Sequence, residues 1–255
     1  MVEKIIVAAF GLVWGSFLNV VIHRLPRGGS LASPPSACPR CGRRIRPYDN
    51  IPVVSYLVLR GRCRDCGVRI SPVYPAVELL TAAAFLLLYA RFGWGPHFVT
   101  AAVFAAALIA LGFIDYFHQL LPDAITLPGL VLALIYAAFR PDLSLRGALA
   151  GAVLGAGFLL AVYSAYYFLR KKEGLGLGDV TMMLFVGAYL GWRGALLTLV
   201  LASFSGALVG IFLIAARKKD MQHALPFGSF LAPAAFVALV WGDRILRAYL
   251  SLYTN

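Results

Sequence analysis

The sequence predicts an all-α polytopic membrane protein: about eight transmembrane helices, with a small zinc-binding cytoplasmic insert between the first two. Three observations predict it. Apolar residues fill 61% of the 255 positions and charged residues 13%, and the mean hydropathy of +0.81 is beyond what a soluble globular domain of this size carries. Apolar runs recur that are long enough to cross about 30 Å of hydrocarbon, roughly 20 residues each, so helices and not barrel strands would satisfy the backbone. All four cysteines fall in a single basic, polar stretch.

The first apolar run, 5 to 22, follows "MVEK" and continues into "GSFLNVVIHRLP" without a small-residue cleavage pattern. It reads as a retained helix, so residues 1 to 22 form a first transmembrane segment. Residues 23 to 75 form the insert, rich in proline, glycine and arginine and too small to hold an unaided core. Its staple is "CPRC" (Cys38, Cys41) and "CRDC" (Cys63, Cys66), two knuckles whose two-residue spacers let paired sulfurs face one ion at about 2.3 Å. Gly42 and Gly67 follow the pairs and suit the tight turn each knuckle needs. A closed set of four thiolates leaves no open coordination position, so the expected zinc is structural. Residues 76 to 255 hold the remaining runs: 76 to 92, 97 to 114, 124 to 139, 147 to 169, 179 to 191, 194 to 216 and 228 to 250. The sixth of the eight is too short to span unaided and must tilt or open into a protein-lined cavity. No repeat of 20 to 50 residues interrupts this pattern.

Orientation follows from the charges. Sixteen of the 23 Lys and Arg lie in alternating loops on one side: ten between His23 and Tyr74, and two "RKK" clusters at Arg170 to Lys172 and Arg217 to Lys219. The positive-inside rule makes that side cytoplasmic. The net charge of +12 is then mostly attraction to anionic lipid, and no nucleic acid partner is expected. A cytoplasmic insert also keeps its thiols reduced, which disfavours disulfides.

Intramembrane acids are costly and each needs a reason. Asp115 in "LGFIDYFHQLLPD" ends the third run, and Asp179 opens the sixth directly after "RKKEGLGLG", so the loop count brings both to the cytoplasmic face. Two carboxyls sharing a site cannot both ionise, so one keeps a proton while the other activates water, as in aspartic proteases. The glycines before Asp179, Gly176 and Gly178 among them, would let an extended substrate lie beside it. Against this stand a helix cap for Asp179, a hydrated helix end for Asp115, and a proton-coupled transporter or a scaffold with a zinc-stapled loop. Helix ends suggest a division of labour: Asp179 at an N-terminus as the base, Asp115 at a C-terminus as the acid. Glu78 near the start of the second run is either a partner for insert arginines or part of a cofactor pocket, and the structural option is favoured.

Several ordered blocks, "GSFLNVVIHRLP", the cysteine stretch from Cys38 to Thr81, "IDYFHQLLPDAITLP", "KEGLGLGD" and "LPFGSFLAP", resemble the type IV prepilin peptidase family along nearly the whole chain. The resemblance implies an aspartic endopeptidase of GxGD type that removes the basic leader of prepilins or pseudopilins after a glycine. It also implies methylation of the new N-terminus with S-adenosylmethionine. Asp115 and Asp179 map to the catalytic pair, and Gly61 and Asn50 to positions associated with methyl transfer; Asp123 of "LPD" belongs to the motif and reads here as a capping or structural acid. The implied location is the bacterial inner membrane, with the active site at the cytoplasmic face. Thr181 stands where a lysine is usual in the family, and Phe117 where some relatives carry an acid.

Overall fold

The computed structural model describes residues 1–171, 176–216 and 225–252. Lys172, Gly174 and the Arg217 to Lys219 cluster lie outside them. Eight α-helices occur among the described residues: α1 (Val2–Arg24), the short α2 (Val54–Val58), α3 (Val73–Phe92), α4 (Pro96–His118), α5 (Asp123–Ala137), α6 (Leu145–Arg170), α7 (Leu177–Ala215) and α8 (Gly228–Ser251). Six are long and apolar enough to cross a membrane, and α5 is a shorter apolar helix. The chain is an integral membrane protein.

The eight expected apolar runs fall in seven helices, the fourth of them in the shorter α5. The sixth and seventh runs are joined in α7, which is broken at Gly191, where φ is 71° and ψ is 177°. Only glycine takes such a conformation without strain, and the break strands carbonyls of the preceding turn. Arg140 Nη1 donates to one of them, the Tyr189 carbonyl, at 2.9 Å, while its guanidinium also pairs with Asp142.

Two compact units divide inside α4, Met1–Ala110 and Leu111–Asn255. In the first, α1 packs on α3 through the Gly11–Gly15 spacing, a GxxxG face on which a Cβ at either glycine would stand 2.6 Å from the Cα of Ala82 or Glu78. Bare backbone at these positions is what permits van der Waals contact between helices where lipid supplies no hydrophobic drive. The insert hangs from this pair by two polar links. Asn19 Nδ2 donates to the Tyr74 carbonyl at 3.0 Å, and Glu78 Oε2 accepts the N–H of Val53 at 2.7 Å. Glu78 is buried and bonds the insert's backbone, where the sequence suggested an arginine.

In the second unit α7 packs against α5, α6 and α8. The tightest crossing is again glycine on glycine: a Cβ on Gly151 of α6 would stand 2.3 Å from the Gly187 carbonyl oxygen. Many large apolar side chains on the helices remain exposed, the pattern of surfaces facing lipid tails.

Candidate active site

α4 ends one turn after Asp115, where Gln119 turns left-handed at φ 53° and its N–H closes on the Asp115 carbonyl at 2.8 Å. α7 begins at Leu177 with Gly176 as N-cap. Asp179 occupies the third helical position and reaches back, its Oδ2 accepting the Gly176 N–H at 3.2 Å. This is half of a capping box, with the carboxylate satisfying an orphan donor. The cap expected for Asp179 as an ordinary alternative is therefore present, but it uses one oxygen only. Oδ1 is buried and has no hydrogen-bond partner among the described residues, the one buried side-chain oxygen or nitrogen so placed.

Asp115 and Asp179 are 5% and 7% exposed. The elements between them fit closely. Leu121, in the link from α4 to α5, would meet a Cβ on Gly178 with its own Cβ at 2.9 Å, and a Cβ on Gly228 with its Cδ1 at 2.9 Å. The room left by Gly178 is thus filled by Leu121, while Gly176 is exposed.

The N-terminus of α8 meets Asp115. The backbone N–H of Ser229 donates to Asp115 Oδ2 at 2.7 Å and its hydroxyl lies 3.2 Å from the same oxygen. Both carboxylates therefore face a helix N-terminus with its partial positive charge, Asp115 across from α8 and Asp179 within α7. Helix ends therefore do not separate a base from an acid, as the helix each aspartate belongs to had suggested.

Asp123 opens α5, and the fully buried Thr126 has its hydroxyl 3.4 Å from Asp123 Oδ1 and 3.4 Å from Thr181 Oγ1. Thr181 in turn donates to the Gly178 carbonyl at 3.0 Å. This chain of hydroxyls ties α5 to the first turn of α7. Ser229, Gly228, Leu121, Thr126 and Thr181 were not singled out as site residues from the sequence. The Gly-Ser step before the apolar run of "FGSFLAP" was the available signal, since it marks a helix start.

In the first unit the four cysteines come together. Their sulfurs all lie within 4.8 Å of one another, with Cys38 and Cys66 at 3.7 Å. A tetrahedron of bonds of about 2.3 Å has edges of about 3.8 Å, so the set fits one metal ion. The two knuckles are near copies. The Gly42 N–H donates to the Cys38 carbonyl at 2.9 Å and the Gly67 N–H to the Cys63 carbonyl at 3.0 Å, both glycines at φ 69°, beside the bridges Ala37 to Arg44 and Arg62 to Arg69. Backbone N–H groups of Cys41 and Arg40 pull the Cys38 thiol down to about 6. The Val68 N–H lowers Cys66, but burial and the three neighbouring sulfurs push it up to about 11.

Gly61 lines a cleft of about 590 Å³ with Tyr56, Arg60, Arg62, Arg69 and the segment entering α3. Its φ is 66° and a Cβ would stand 2.9 Å from the Tyr56 hydroxyl. None of the three arginines is in an ion pair among the described residues. Asn50 is exposed at the end of the 3₁₀ turn Pro47–Asn50 and is not among the residues lining this cleft.

These features define a class: a polytopic membrane protein with a buried aspartate pair in one helical unit and a four-cysteine cluster in the other. Residues 102–211 match the type IV leader peptidase family and residues 9–92 match the bacterial peptidase A24 N-terminal domain. A Pseudomonas putida protein named prepilin leader peptidase/N-methyltransferase is 41% identical over 95% of this chain and 92% of its own length. Proteins of the same name from Pseudomonas aeruginosa, 40% identical over 94% and 91%, and Myxococcus xanthus, 45% identical over 82% and 62%, are also similar. No solved structure matches the chain. The chain belongs to the type IV leader peptidase family.

Proposed function

We propose that this protein cleaves the leader of type IV prepilins or pseudopilins with Asp115 and Asp179, and then methylates the new N-terminus. The observation that carries the cleavage reading is the buried Oδ1 of Asp179, unpartnered among the described residues, in a chain of this family that buries a second aspartate, Asp115. A buried carboxylate oxygen without a donor is costly unless something occupies it during function. A water between the two carboxyls gives its proton to the ionised member as its oxygen attacks the scissile carbonyl. The protonated member gives its hydrogen to the carbonyl oxygen. Collapse of the tetrahedral intermediate breaks the C–N bond and returns a proton to the leaving amine. Substrate backbone would lie by exposed Gly176, whereas Gly178 serves by admitting Leu121.

The cysteine cluster is assigned a structural zinc, held by Cys38, Cys41, Cys63 and Cys66 with no open position. The cleft beside Gly61 is of a size that suits a small-molecule ligand and is the candidate site for S-adenosylmethionine. When bound, that donor supplies an electrophilic methyl group on a sulfonium. Arg60, Arg62 and Arg69 offer partners for its carboxylate, and Gly61 keeps the space in front of Tyr56 open. Asn50 keeps its association with methyl transfer through family likeness alone. The location proposed is the bacterial inner membrane with the aspartates at the cytoplasmic face, a reading supported by the charge asymmetry of the loops.

The test is incubation of the detergent-solubilised protein with a prepilin and S-adenosylmethionine, followed by mass measurement. Loss of the leader plus one methyl increment is expected. An intact leader would leave the transporter or scaffold reading standing.

A further inference from the structure

Ser229 does more at Asp115 than close a helix end. Its N–H already donates to Oδ2 at 2.7 Å, which is all that capping requires. Its hydroxyl lies between two acceptors, Asp115 Oδ2 at 3.2 Å and the Gly112 carbonyl oxygen at 3.1 Å. A serine hydroxyl has one hydrogen and two lone pairs, so it cannot donate to both at once. Gly112 lies inside α4, where the helix itself supplies a donor to its carbonyl, so neither partner depends on the hydroxyl for its only bond.

We propose that Ser229 is a positioning residue that holds Asp115 Oδ2 in both of the protonation states the cleavage cycle demands. With Asp115 ionised, the hydroxyl hydrogen turns to Oδ2. With a proton on Oδ2, the hydroxyl hydrogen turns to the Gly112 carbonyl and the serine oxygen accepts from the carboxyl. No heavy atom moves between the two arrangements. The carboxyl plane stays fixed as its proton leaves and returns, which preserves the geometry a shared water needs. Gly228 makes the contact possible, because a Cβ there would stand 3.0 Å from the same oxygen. This inference rests on the aspartate-pair reading given above.

The test is steady-state cleavage of a prepilin by the full chain and two variants, with methylation of a peptide already lacking its leader read in parallel. Ser229→Ala keeps the backbone N–H and removes the rotor; Ser229→Thr keeps both. The expected result is a kcat about tenfold or more lower in Ser229→Ala, an unchanged KM, unchanged methylation, and recovery to within about twofold of wild type in Ser229→Thr. If the alanine chain fails to accumulate, Ser229→Cys, close in volume but a weak donor, is expected to show the same selective loss of kcat. Wild-type kcat in Ser229→Ala would overturn the proposal. So would KM and methylation changing along with kcat, or a threonine variant as impaired as the alanine one. Absence of cleavage by the wild-type chain would instead remove the aspartate-pair reading itself.

Discussion

A Cβ on Gly228 would stand 3.0 Å from Oδ2 and 3.1 Å from Cγ of Asp115, so a missing side chain is what lets the α8 N-terminus reach the carboxylate. Gly228→Ala is therefore expected to push α8 off Asp115 and lower leader cleavage by about tenfold or more by the cost of a lost charge-assisted hydrogen bond. Gly206→Ala, whose Cβ would meet nothing nearer than Phe230 at 3.7 Å, is the control expected to retain wild-type cleavage. Initial rates of leader release by gel shift check both.

Asp115→Asn and Asp179→Asn are each expected to reduce cleavage by several orders of magnitude, since one carboxyl cannot act as acid and base together. Methylation of a peptide already lacking its leader is expected to persist in both, because the cleft beside Gly61 belongs to the other unit. Mass spectrometry of the two products separates the activities.

One zinc per chain is expected by elemental analysis, and Cys41→Ser is expected to lose it. The sign of the pH dependence follows from the sulfurs. Cys66 is pushed up to about 11, so it must release a proton to bind a cation, and affinity for zinc falls as pH falls. Competition with a chromophoric chelator at two pH values reads this directly.

Val53 holds φ 61°, which is strained for a β-branched residue, and its N–H is kept by Glu78. Glu78→Ala leaves a donor unpaired and is expected to cost the insert about 1–3 kcal/mol. Val53→Gly relieves the backbone and is expected to raise its stability by about 1 kcal/mol. Hydrogen exchange across Val53 to Leu59 measures both changes.

Gly151→Ala would place a methyl group 2.3 Å from the Gly187 carbonyl oxygen, and backbone cannot yield as a side-chain tip can. The expected outcome is separation of α6 from α7 at a cost of about 1–3 kcal/mol or more, seen as a lower melting temperature in detergent.

Much of this protein was legible in its sequence because the relevant physics is local or compositional. Long apolar runs specify helices in lipid, since no other backbone arrangement is satisfied there. Two C-x-x-C pairs specify a knuckle geometry within five residues each, and the sulfurs of Cys38, Cys41, Cys63 and Cys66 duly converge. An aspartate at the end of one apolar run and another at the start of a later one were visible as exceptions to composition. What only the tertiary structure decided were the contacts that cross the chain. Ser229 is 114 residues from Asp115, Gly187 is far in sequence from Gly151, and Glu78 finds Val53 across the insert. Each of those meetings depends on helices approaching to backbone distance, and closeness of that kind is fixed by packing across the whole unit, which no local pattern of residues encodes.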